Sequence, residues 1–160
     1  MQMKSAWIAA GSLMTWASLS VAADYTSITL EKPVERSADA VWAKVGPFCA
    51  IKEWLKTTCE YTSGSGDIGS VRVVAGQYTE VLVGKTEHSY TYAFTEPNPT
   101  MYHGTLSVVP AGAHRSKLVY LVFWDQDKFA TPEAKAKEKA GNTDTFSQAL
   151  DTMKRMAEAK

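Results

Sequence analysis

The sequence predicts an α+β fold: a seven-stranded antiparallel sheet curled around one long C-terminal helix, with two short helices after the first strand. Three observations lead there. From Lys56 to Asp125 the apolar residues recur with period two, in runs broken by Gly and Pro, which is the pattern of strand after strand. Most breaks are hairpin-sized, so neighbouring strands pair antiparallel in sequence order. One long helical pattern remains, near the C-terminus, to cover the sheet. A single helix is narrower than seven strands, so a sheet that grips it leaves an internal pocket.

The elements follow in order. The chain opens MQMKSAWIAAGSLMTWASLSVAADY, with Lys4 the only charge before a small-residue apolar stretch that ends Val21-Ala22-Ala23. This is the pattern of a secretory signal peptide over residues 1–23, cut before Asp24. Gly11, Ser12, Thr15, Ser18 and Ser20 dilute the stretch below the strongly apolar run of ~20 residues that a membrane anchor needs. Residues 24–160 then form a single extracytoplasmic domain with no membrane span. Of 17 basic and 17 acidic residues only Lys4 is lost with the leader, so the mature chain is nearly neutral. That excludes the basic footprint of a nucleic-acid binder.

Tyr25 to Pro33 alternates and is β-branched, a strand. In RSADAVWAKVG, Ser37 caps a short helix, Asp39 suits its positive end, and Ala38, Val41, Trp42 and Val45 share one face before Gly46 ends it. Pro47 opens a second short helix that runs to Trp54. Strands are expected near 56–62, 70–75, 77–85, 87–96, 101–109 and 115–125. Pro97-Asn98-Pro99 and Pro110-Ala111-Gly112 are among the breaks. Thr131, Pro132 and Glu133 start the last helix, whose apolar stripe is Phe146, Ala149, Leu150, Met153 and Met156. Gly141-Asn142 predicts a kink or break in its middle.

This element order, with the runs ADAVWAKVGPF, GSVRVV, TEVLVG, YTYAF and YHGTLSVVP, resembles the START/Bet v 1-like superfamily. Within it the chain is similar to secreted bacterial polyketide cyclase/dehydrase-like (SRPBCC) proteins. The resemblance implies a helix-grip fold, and it places Trp54 at the border of the pocket entrance. It does not fix a function, since the superfamily includes carriers, receptors, cyclases and accessory proteins.

Cys49 and Cys59 are the only cysteines. Two thiols cannot make a structural zinc site alone, and His88, His103 and His114 lie on separate strands or loops, so no metal is expected. In an oxidising compartment the pair reads as a disulfide, worth roughly 2.8 kcal/mol by the chain-entropy estimate. GSGDIG, residues 64–69, matches G-x-G-x-x-G literally, but a strand follows it rather than a helix, so it is a turn and not a nucleotide site. No cofactor is implied.

Alternation outlines the pocket. Tyr90, Tyr92 and Phe94 share a face, as do Tyr102, Gly104, Leu106 and Val108, and as do Leu118, Tyr120, Val122 and Trp124. Gly104 leaves room where a side chain would be. Phe146, Leu150 and Met153 press down from the helix. Buried tyrosine hydroxyls need partners, which a polar ligand group or water can supply. Arg72 and Glu80 sit in neighbouring strands and pair either on the outer face, as a structural ion pair, or inward. By the resemblance, VR and E-x-L are recurrent positions of the superfamily. An inward Arg72 can orient a carboxylate or keto oxygen and an inward Glu80 can act as a general base.

The expectation is a periplasmic binding or carrier protein for a small, mainly hydrophobic ligand. Its ligand-binding residues would be Trp54, Arg72, Glu80, Tyr90, Tyr92, Tyr102, Tyr120, Trp124, Phe146, Leu150 and Met153. One alternative is an accessory protein that contacts another periplasmic protein, such as a dehydrogenase or cytochrome, through the polar stretch DQDKFATPEAKAKEKAGNTDT. The other is a cyclase/dehydratase-type enzyme using Glu80, Arg72, Tyr92 and His103, against which the leader counts because polyketide chains are handled in the cytoplasm.

Overall fold

The computed structural model describes residues 23–95 and 101–159. The expected leader and the Pro97-Asn98-Pro99 break lie outside the described residues, apart from Ala23. Strand β1, Tyr25–Val34, is followed by helix α1, Ala38–Val45, and a 3₁₀ turn, Phe48–Ala50, that runs into the short helix α2, Ile51–Trp54. Strands β2, Cys59–Ser63, β3, Val71–Val74, β4, Tyr78–Thr86, β5, Ser89–Phe94, β6, His103–Pro110, and β7, Ser116–Asp125, precede helix α3, Pro132–Glu158.

The seven strands make one sheet in the order β1-β7-β6-β5-β4-β3-β2, antiparallel throughout. Strand β1 returns to pair with β7 from Tyr25↔Asp125 to Val34↔Ser116. Register shifts in β4 between Leu82 and Gly84, and in β2 between Tyr61 and Ser63, bend the sheet and help it curl. Strand β2 starts later than its period-two pattern suggests, because Lys56 takes a left-handed backbone (φ 52) after α2.

Ser37 Oγ accepts from the Ala40 N–H to cap α1, and Thr131 Oγ1 accepts from the Ala134 N–H to cap α3. Val41 and Val45 are buried, but Trp42 is only half-buried at the edge of that face. Phe146, Ala149, Leu150, Met153 and Ala157 of α3 are buried against the sheet. The expected break at Gly141-Asn142 does not occur, and α3 runs unbroken for 27 residues. Glycine costs about 1 kcal/mol relative to alanine inside a helix. Packing of the apolar stripe offsets that cost, and Asn142 donates to Glu138 Oε1 across the turn.

Candidate functional site

The site lies between the sheet and the first half of α3. A cavity of about 380 Å³ opens there, walled by Tyr78, Glu80, Tyr92 and Phe94 from the strands, Tyr102 just before β6, Ile51 from α2 and Leu55 just after it, and Lys128, Glu138, Asn142, Thr145 and Phe146 from the helix side. Its floor is a run of rings. Phe94 stacks on Tyr102 with centroids 4.3 Å apart and on Tyr78 at 5.4 Å, and Tyr102 stacks on Trp124 behind the wall at 6.4 Å.

Strand alternation sends Arg72 and Glu80 inward, and they face each other as cross-strand partners. Arg72 is completely buried and Glu80 is 3% exposed. Of the two placements open from the sequence, the inward one is observed. Arg72 Nε donates to Glu80 Oε2 at 2.6 Å, and its Nη1 donates to the Phe48 carbonyl. The guanidinium lies over the Phe48 ring at 3.8 Å and near those of Tyr92 at 5.1 Å and Tyr90 at 5.8 Å. Burial would lower the Arg72 pKa, but the oxygens of Tyr90 and Glu80 raise it above its ordinary value, so it stays charged. Burial holds the Glu80 carboxyl above the usual carboxylate range, and Arg72 draws it part of the way back. The sheet side of the cavity wall therefore carries one carboxyl, Glu80, whose cation stands behind it, while Glu138 lies on the helix side.

Glu80, Tyr92, Tyr102 and Phe146 of the expected residues line this cavity. Tyr90 lines a separate cavity beside α1, and Trp54 lines a cleft between α2 and α3, edge-on to Tyr120. Tyr120, Trp124, Leu150 and Met153 are core residues behind the wall, since the apolar second half of α3 closes directly onto the sheet there. Gly104 does not leave open room: a Cβ there would stand 2.3 Å from the Tyr92 ring, which fills the space. The tyrosine hydroxyls partly satisfy one another, with Tyr92 and Tyr120 bonded at 2.9 Å. Burial pushes both phenols, and those of Tyr90 and Tyr102, above their ordinary range.

His103 turns to the outer face, donating from Nδ1 to the Met101 carbonyl and packing on Phe123, so it cannot serve chemistry in the cavity. Lys128, Glu138, Asn142 and Thr145 were legible only as part of an exposed polar stretch. One side of that stretch faces the cavity. Cys49 and Cys59 form the expected disulfide, with Cα atoms 5.5 Å apart. The glycine-rich turn is closed on itself: the N–H groups of Ser65, Gly66 and Asp67 all donate to Ser70 Oγ, which leaves no cradle for phosphate. Asp39, Glu87 and His88 bring ligand atoms within 4.8 Å of one another at the surface, where His88 Nε2 and Asp39 Oδ1 share a 2.7 Å hydrogen bond.

This chain belongs to the family described as polyketide cyclase / dehydrase and lipid transport, which its residues 25–158 match. Several solved structures share the helix-grip fold. The Zhui aromatase/cyclase from Streptomyces sp. R1128 superposes with a TM-score of 0.70 at 18% identity, covering 84% of this chain and 94% of its own. A protein from Thermobifida fusca gives 0.69 at 23% identity, covering 82% and 92%. Truncated norcoclaurine synthase from Thalictrum flavum gives 0.66 at 20%, covering 88% and 98%. At these identities the likeness is one of fold. No curated protein matches the sequence. Among the described residues no helix is long and apolar enough to cross a membrane.

Proposed function

We propose that the protein is a periplasmic binding or carrier protein that holds a small, mainly hydrophobic ligand in the cavity under the first half of α3. The carrying observation is the wall itself: stacked aromatic rings with the buried Glu80 carboxyl among them and Lys128 and Glu138 on the helix side. Such a surface suits a ligand with a flat apolar body and one polar group that accepts or donates at Glu80 and the tyrosine hydroxyls. The leader-like N-terminus supports the periplasmic part of the reading, and the disulfide is compatible with it.

Native mass spectrometry of the protein released from the periplasm tests this, followed by titration with 2-naphthol as an apolar ring probe. The expected results are a defined extra mass that leaves on denaturation, and tryptophan quenching that saturates with the probe. A bare chain that binds no member of an apolar ligand panel would refute the reading.

A second reading, a cyclase/dehydratase-type enzyme, rests on Glu80, a cavity-facing carboxyl raised by burial as a general acid or base requires. If it holds, Glu80→Gln abolishes turnover of a substrate that still binds. Unchanged turnover in that variant removes it.

A further inference from the structure

The second cavity, beside α1, has a volume of about 310 Å³ and is walled by Trp42, Pro47, Phe48, Tyr61, Leu82 and Tyr90. Only a thin partition separates it from the main one. Leu82 and Tyr92 are cross-strand partners, yet Leu82 lines one cavity and Tyr92 the other. Between them stands Arg72, stacked on Phe48 and bonded to both the Phe48 carbonyl and Glu80. The Phe48–Arg72 contact thus stands as a waist between two separate cavities on the same face of the sheet.

Two ties hold Phe48 in that waist. One is the hydrogen bond from Arg72. The other is covalent: the next residue, Cys49, is bonded to Cys59, the first residue of β2. Strand β2 is the sheet's edge, paired to β3 on one side, and most of its residues are exposed. The disulfide therefore fastens the 3₁₀ turn carrying Phe48 to the outermost strand. Both cysteines are half-buried, within reach of a reductant.

We propose that the Cys49–Cys59 disulfide is a redox-sensitive latch on the pocket. Oxidised, it holds Phe48 against Arg72 and keeps the two cavities apart. Reduced, it frees the turn, and the cavities join into a passage that takes an elongated apolar chain. The reductant is a dithiol. One of its thiolates attacks a disulfide sulfur to give a mixed disulfide, and its second thiol resolves that bond. Two electrons and two protons pass to Cys49 and Cys59, which become thiols, while the dithiol becomes a disulfide. The latch rests on the binding reading above only for what passes through the waist.

The test uses the full mature protein, oxidised and reduced, with two readouts. Hydrogen exchange at the Arg72 Nε–H, followed by NMR, reports the waist without any ligand. It should be slow in the oxidised protein, where Arg72 is buried and bonded to Glu80, and reduction should speed it by about tenfold or more, as local opening does. Binding of cis-parinaric acid, a long-chain probe, should tighten by about a factor of ten on reduction while 2-naphthol affinity stays constant. The Cys49→Ser/Cys59→Ser pair should match the reduced protein. Phe48→Ala with the disulfide intact should open the waist in both redox states, which keeps the test decisive even if the reduced chain unfolds. Exchange at Arg72 that ignores reduction overturns the latch. Faster exchange with unchanged long-chain affinity, while 2-naphthol still binds, overturns the passage. If neither probe binds any form, the binding reading falls and the exchange result alone decides the latch.

Discussion

At the scale of single residues, Arg72 shows how a buried charge is tolerated. It keeps its charge because Glu80, the Phe48 carbonyl and three aromatic rings surround it. Truncating it in Arg72→Met strands the Glu80 carboxyl in the interior, which should destabilise the fold by about 3–5 kcal/mol at neutral pH. Burial already holds Glu80 above its ordinary value, and losing Arg72 removes what draws it back, so the value rises further. A carboxyl raised in the folded state contributes stability that is complete below its unfolded pKa and is lost as pH rises through the folded one. Arg72→Met should therefore approach wild-type stability in acid and fall behind as pH rises, measured by denaturant melts across pH. A deficit independent of pH would mean that Glu80 is not the stranded group. Gly104 makes a second residue-level case. In Gly104→Ala the new methyl meets the Tyr92 ring at 2.3 Å, so the ring must shift and its 2.9 Å bond to Tyr120 must break. The expected loss is about 1–3 kcal/mol, with a changed near-ultraviolet circular dichroism spectrum.

At the scale of elements, α3 is the instructive one. Gly141 and Asn142 are weak helix formers, and sequence alone argues for a break there. The helix continues because Phe146, Leu150 and Met153 anchor its second half while Thr131 and Pro132 fix its start. Gly141 is exposed, and a Cβ there meets nothing within 4 Å. Gly141→Ala should thus stabilise the protein by about 0.5–1 kcal/mol, read as a higher denaturation midpoint with an unchanged slope. A lower midpoint would show that the glycine serves the bend the sequence suggested. Strands, caps and pairing order were legible because period-two runs, Ser37, Thr131 and short turns are local signals. The direction of Arg72 was not. In Val71-Arg72-Val73-Val74 both faces of the strand carry apolar residues, so alternation cannot say which one is inside. The use of Gly104 was hidden for a different reason: its neighbour, the Tyr92 ring, belongs to another strand. The cavity-facing roles of Glu138 and Asn142 were hidden because charged helical residues usually meet solvent.

At the scale of the whole molecule, the position of the cavity follows from how apolar residues are distributed along α3. Pro132 apart, the segment 132–145 carries no apolar side chain larger than alanine, and the large ones begin at Phe146. The second half closes onto the sheet as core. The first half cannot, and it stands over the aromatic floor with Glu138, Asn142 and Thr145 at the mouth of the cavity. Ligand space and structural core thus meet at Phe146 and otherwise take different lengths of one helix, so the cavity can be filled from the first half without displacing Leu150 or Met153. Thr145→Phe, at an exposed position on the cavity wall, places a ring over Phe94 and Tyr102 and should abolish 2-naphthol binding. Stability should stay within about 0.5 kcal/mol of the wild type, as expected for a surface substitution. Calorimetric titration and a thermal melt of the same variant measure both. Full binding with unchanged stability would move the ligand out of this cavity, to the one beside α1 or the cleft between α2 and α3. Lost binding with a large loss of stability would show that the two halves of α3 are not independent.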